Sequence, residues 1–147
     1  ERFKASMITA KDFYLNAVFF NGSHSSPLIA FFLHQAVELT YRSVLIALSG
    51  GYKKTHELLL LRKEADRFAP GLNSVLRAGT PEEKRLIGLL DKAYTAARYD
   101  ADFTVSPEDI AGLTEDAAML LEVAETLVAA GLNVNSNYFT KAKKINV

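Results

Sequence analysis

Apolar residues recur at intervals of three and four along most of the chain, which is the period of an α-helix, and no strand-like alternation is long enough to compete. The first predicted helix covers residues 2–20, with Phe3, Met7, Ala10, Tyr14, Ala17 and Val18 as its apolar stripe, and stops at the turn-forming NGSHSS of 21–26. A second starts at Pro27 behind a serine cap and runs to about Ser49, where Gly50-Gly51 supplies a left-handed stop. Its interior, LIAFFLHQAVELTYRSVLIAL, is apolar around most of its circumference, the mark of a central helix packed on several sides. A third begins at Thr55 and passes through HELLLLRKEADRF before PGLNSVLRAG (70–79) breaks the pattern. The fourth opens with TPEE (80–83), a capping box with acids at the positive end of the helix dipole, and runs to Arg98 or Tyr99. SPED (106–109) repeats the device, and Ile110, Leu113, Ala117, Leu120, Leu121, Ala124, Leu127 and Val128 keep one face apolar up to Gly131. These elements predict an all-α, up-and-down bundle of four to five helices over residues 1–131. Residues 132–147, polar with a basic end, read as a loosely ordered C-terminal tail.

Composition narrows the functional classes. The 147 residues suffice for one domain with a real core. Seventeen basic residues balance seventeen acidic ones, which argues against strong non-specific nucleic-acid binding but leaves room for a local basic patch. The absence of cysteine removes disulfides, thiol nucleophiles and thiolate metal sites, and fits a cytoplasmic protein. No apolar run approaches the roughly 20 residues of a membrane span, so no membrane partner is expected. The three histidines, His24, His34 and His56, fall on different segments without paired ligand spacing, so neither a metal nor another cofactor is expected.

The unusual feature is a polar ribbon on the apolar second helix. His34, Gln35, Glu38, Tyr41 and Arg42 share one arc, opposite Phe32, Ala36, Leu39, Ser43, Ile46 and Ala47. Polar groups on a buried helix need partners or a cleft to line. Helix four carries a matching ribbon of Asp91, Tyr94, Thr95 and Arg98. The two ribbons predict either a groove between these helices or a contact across a subunit interface. A plain i, i+4 clasp between Glu38 and Arg42 is the simpler alternative. Lys53 and Lys54 beside the start of helix three offer an anion site, with Thr55 as an ordinary cap being the competing explanation. The glycines lack phosphate-loop spacing.

The order FFLHQAVEL, Gly-Gly turn, KKTHELL and AARYD resembles the HEPN family, named for higher eukaryotes and prokaryotes nucleotide-binding. The likeness spans about residues 3–130. It implies a helical bundle of a kind that often forms homodimers through its long helices. It also implies a nucleotidyltransferase domain in cis or in trans, including toxin–antitoxin pairs, and nucleotide or RNA as ligand. The resemblance points to a groove lined by Gln35, Glu38, Arg42, Arg98 and Tyr99, with Lys54 and His56 as anion contacts. The chain opens on Glu1 rather than methionine, which predicts a domain from the C-terminal part of a longer protein. Ribonuclease members of the family carry an arginine followed four to six residues later by histidine. Here Arg98 is followed by YDADFTV, with no histidine in the window and two acids where an RNA phosphate would sit. No catalytic residue is therefore assigned, and a non-catalytic binding or dimerisation domain is expected; a metal-independent ribonuclease and a ligand-free interaction module are the alternatives.

Overall fold

A computed structural model describes the backbone of residues 2–52, 54–96 and 99–145, and the side chains of these residues as far as Leu132. Five α-helices follow in chain order: α1 (Arg2–Phe20), α2 (Ser26–Ser49), α3 (Leu58–Phe68), α4 (Pro81–Ala96) and α5 (Pro107–Ile145), with one 3-10 turn at Leu72–Ser74. No strand occurs among the described residues. The predicted all-α bundle is thus the observed one.

Helix α2 packs against α1, α3, α4 and α5, as its all-round apolarity requires. Ile29, Leu33, Val37, Val44 and Leu45 of α2 meet Leu58 and Leu61 of α3, Ile87 and Leu90 of α4, and Leu113 and Leu120 of α5 in one core. Replacing any of these leucines by alanine costs about 2–5 kcal/mol. Tyr41 belongs to this core and not to the polar ribbon in which the sequence placed it. It is fully buried, its hydroxyl has no hydrogen-bond partner among the described residues, and burial pushes its phenol well above the usual tyrosine range. The opposite arc of α2 faces α1: Phe32 lies 6.3 Å from Phe13 and 6.2 Å from Phe20, and Ser43 donates to Ser6.

The helix ends follow local chemistry. Gly50 closes α2 at φ 84°, a left-handed cap that glycine adopts at least cost. At α4, the Glu83 amide donates to the Thr80 hydroxyl (3.1 Å) and the Thr80 amide donates back to the Glu83 carboxylate (3.0 Å), so the capping box forms as expected. Ser106 accepts from the Asp109 amide at the head of α5.

Three expectations need correction. Val18 is exposed rather than part of the buried stripe of α1. Helix α5 does not stop at Gly131 but continues to Ile145, through most of the residues read as a loose tail. Gly131 serves packing there: a Cβ at this position would lie 3.0 Å from Leu48, so the glycine lets α5 approach α2. Finally, α3 starts at Leu58 and not at Thr55. The reason is that Thr55 and His56 are engaged by side chains of α2, which defines the candidate site.

Candidate functional site

The loop into α3 is tied to α2 through its backbone carbonyls. Arg42 Nη2 donates to the Thr55 carbonyl at 3.0 Å, and His34 Nε2 donates to the His56 carbonyl at 3.0 Å. The Thr55 hydroxyl accepts from the Glu57 amide, which makes a local turn in place of a first helical turn. The N-terminus of α3 is then capped from outside, because Asp91 on α4 accepts from the Leu58 amide at 3.2 Å. A carboxylate at that end also suits the helix dipole.

This network fixes the state of His34. A carbonyl can only accept, so Nε2 carries the proton, and Nδ1 must accept, which it does from the Gln35 amide at 3.2 Å. Asp91 lies 3.4 Å from the same Nε2. His34 is therefore a buried spacer between α2, α3 and α4, with both ring nitrogens engaged.

His56 has the opposite arrangement. Its Nδ1 lies 2.7 Å from Glu38 Oε1, so Nδ1–H donates to the carboxylate. The Glu38 side chain is 3% exposed and that of His56 is 49% exposed, so a buried acid holds a ring that reaches solvent. His56 Nε2 has no hydrogen-bond partner among the described residues. Arg42 Nη2 stands 3.6 Å from the other Glu38 oxygen, and its guanidinium lies 4.7 Å from the centre of the half-exposed Tyr52 ring. Tyr94 of α4 stacks on both imidazoles, 4.9 Å from His34 and 4.3 Å from His56, and lies 6.3 Å from Phe31. The result is a polar face on which one acid, one cation and a half-exposed imidazole are locked by aromatic stacking.

Of the residues expected to form a groove, Gln35, Glu38 and Arg42 share this network, and His56 joins them as its most exposed member. Lys54 is exposed in the same loop. Tyr99 is 83% exposed in the turn after α4. Arg98 and Lys53 lie outside the described residues. Asp91 and Tyr94 are read from the sequence only as a polar ribbon on α4; in the fold they are the members of that ribbon that reach His34 and His56. Thr95 is exposed and donates to the Lys92 carbonyl. Tyr52 carried no signal beyond being an aromatic residue in a loop. Among the described residues no group of three or more His, Asp or Glu side chains converges as a metal site would require, and no helix is long and apolar enough to cross a membrane.

An antiparallel bundle with a polar seam between its second helix and the entrance to its third defines a class of small helical domain, and the whole pattern matches a known one. The model of the HEPN domain family matches residues 4–133, and the chain belongs to this family. Among solved structures, the fold is similar to TT1696 from Thermus thermophilus, with 18% identity, a TM-score of 0.52, and coverage of 90% of this chain and 97% of that one. ST0689, an archaeal HEPN homologue, is a further structural neighbour at 17% identity and a TM-score of 0.46, covering 90% of this chain and 97% of its own. At 18% identity the likeness to TT1696 speaks for the fold alone. No curated protein matches the chain.

Proposed function

We propose that this HEPN domain is a nucleotide- or nucleic-acid-binding module without turnover of its own, working with a nucleotidyltransferase domain in the same or a partner chain. The observation that carries this reading is the half-exposed His56 ring, held by buried Glu38 beside Arg42, with aromatic neighbours and no hydrogen-bond partner on Nε2 among the described residues. Phosphate oxygens are recognised by cations and N–H donors, and bases by stacking on exposed rings such as Tyr52 and His56. Family membership supports the same ligand class. Titration calorimetry and thermal melting against a panel of nucleotides and short RNAs test it. A binder at 100 times its dissociation constant raises stability by about 2.7 kcal/mol, and Tyr52→Ala or His56→Ala removes that gain. A flat response across the panel rejects the reading.

A homodimer is favoured by a separate observation. On α1, Ile8 (61% exposed), Leu15 (57%), Val18 (47%) and Phe19 (78%) form an outward apolar ridge on a helix whose other face is already buried. Such a ridge on a globular domain marks an interface, and a second copy of α1 is its proposed cover. Sedimentation of wild type and of Leu15→Glu/Phe19→Glu checks it: the dimer becomes a monomer in the variant, whereas a monomeric wild type excludes it.

A further inference from the structure

The three histidines of this chain occupy three different chemical settings. His34 is buried with both nitrogens engaged. His24 is exposed, and its Nδ1 meets only the Ser23 hydroxyl, at 3.0 Å. His56 alone pairs Nδ1 with a buried carboxylate, and on this half-exposed side chain Nε2 has no hydrogen-bond partner among the described residues. That pairing is what activates an imidazole nitrogen. When Nε2 forms a new bond the ring becomes cationic, and a carboxylate already fixed on Nδ1–H stabilises the charge without reorganisation. Glu38 is itself fixed by Arg42, and the His56 ring by Tyr94, so the geometry does not depend on a substrate to assemble it.

We propose that His56 Nε2 is a phosphoryl-accepting nucleophile, with Glu38 as its positioning residue. No hydroxyl of the described residues is hydrogen-bonded to the His56 ring, so no protein nucleophile stands against it as it would against a general base. In the step, the Nε2 lone pair attacks phosphorus of an activated phosphoryl group and an N–P bond forms. The bond from phosphorus to the leaving group breaks, its electron pair departs with that group, and Nδ1–H stays on the ring against Glu38. The donor is a compound with an activated phosphoryl group, either a nucleoside triphosphate, in which case the proposal rests on the nucleotide-binding reading above, or a small phosphoryl compound, in which case it does not. Among the described residues Arg42 is the cation paired with Glu38, and Asp91 is the second acid, beside His34; Lys54 is exposed two residues before His56 in the chain.

The 147-residue chain supplies its own controls. It is treated with phosphoramidate in one arm and with γ-labelled ATP and magnesium in the other, and the labelled histidines are mapped by mass spectrometry at neutral pH. In the phosphoramidate arm His56 is expected to react at least about tenfold faster than the more accessible His24, about 1.4 kcal/mol of barrier. Glu38→Gln is expected to bring His56 down to the rate of His24, and His56→Gln to abolish that signal. His34 reports folding, because its burial keeps it unlabelled unless the chain opens; in any variant that labels His34, the His56 comparison is repeated with Glu38→Asp, which retains the charge and shifts its position. Label on His56 from ATP assigns the nucleotide as donor, and label from phosphoramidate alone assigns a non-nucleotide donor. Equal rates at His56 and His24, or a rate at His56 indifferent to Glu38, overturn the proposal, whatever the nucleotide panel shows.

Discussion

The Arg85 clasp and the Glu38 cluster are built from the same ingredients, a cation between acidic partners, and differ in what they leave open. Arg85 makes two hydrogen bonds to Glu82 and two to Asp109, all between 2.6 and 3.0 Å, and joins the heads of α4 and α5. Each of the three guanidinium nitrogens donates to a carboxylate, and the whole group lies at the surface. Those bonds hold the Glu82 and Asp109 carboxyls below the usual carboxylate range and push the Arg85 guanidinium further up. Around Glu38 the acid is buried, and among the described residues Arg42 Nε is buried without a partner and His56 Nε2 is unused. A satisfied surface clasp locks two helix ends together; a cluster with spare polar atoms at the solvent boundary is where a ligand gains most.

Four substitutions sharpen this contrast. Glu38→Ala has the largest effect, because it strands Arg42 and His56 beside a buried cavity: a loss of about 3 kcal/mol is expected from urea unfolding. Asp91→Ala comes next. It uncaps α3 and removes a partner of His34, for about 1–2 kcal/mol by the same measurement. Arg85→Ala is a weaker perturbation despite its four hydrogen bonds, since exposed pairs are screened. Its melting temperature is expected to fall slightly at low salt and not at high salt. The folded-state carboxyls of Glu82 and Asp109 sit below their unfolded values, so their contribution is present at neutral pH and lost as pH falls through the folded values. The gap between wild type and Arg85→Ala should therefore close on acidification. Asp116→Asn is the smallest change and has the opposite sign. Burial, with Glu115 and Glu83 nearby, raises the Asp116 carboxyl, so its ionised form opposes folding above that raised value. The variant should melt slightly higher than wild type at neutral pH, with the advantage fading as pH falls through the raised value and gone below the ordinary carboxylate range.

The bundle was legible because helix signals are local. Caps at Thr80 and Ser106, the Gly50 stop and the three-to-four spacing are all read within a few residues. Tertiary contacts decided the rest. Thr55 looks like a cap until Arg42 and His34 take the carbonyls of the loop, and Gly131 looks like a stop until Leu48 is seen against it. The polar ribbon on α2 announced that Gln35, Glu38 and Arg42 need partners. What it did not give was the partner: His56 lies 18 residues from Glu38 in sequence, and nothing local tells which histidine turns inward and which turns out. Tyr41 shows the limit of arc reasoning, since a tyrosine on a polar ribbon can still bury its ring in the core.

Long-range proton–nitrogen NMR of the imidazole rings during a nucleotide titration tests the central claim most directly. The account predicts opposite tautomers in the free domain, with the proton on Nε2 in His34 and on Nδ1 in His56, and a ligand-induced shift confined to the Nε2 resonance of His56 while His34 stays still. Identical tautomers for the two rings, or a saturating ligand that leaves His56 untouched, would contradict it.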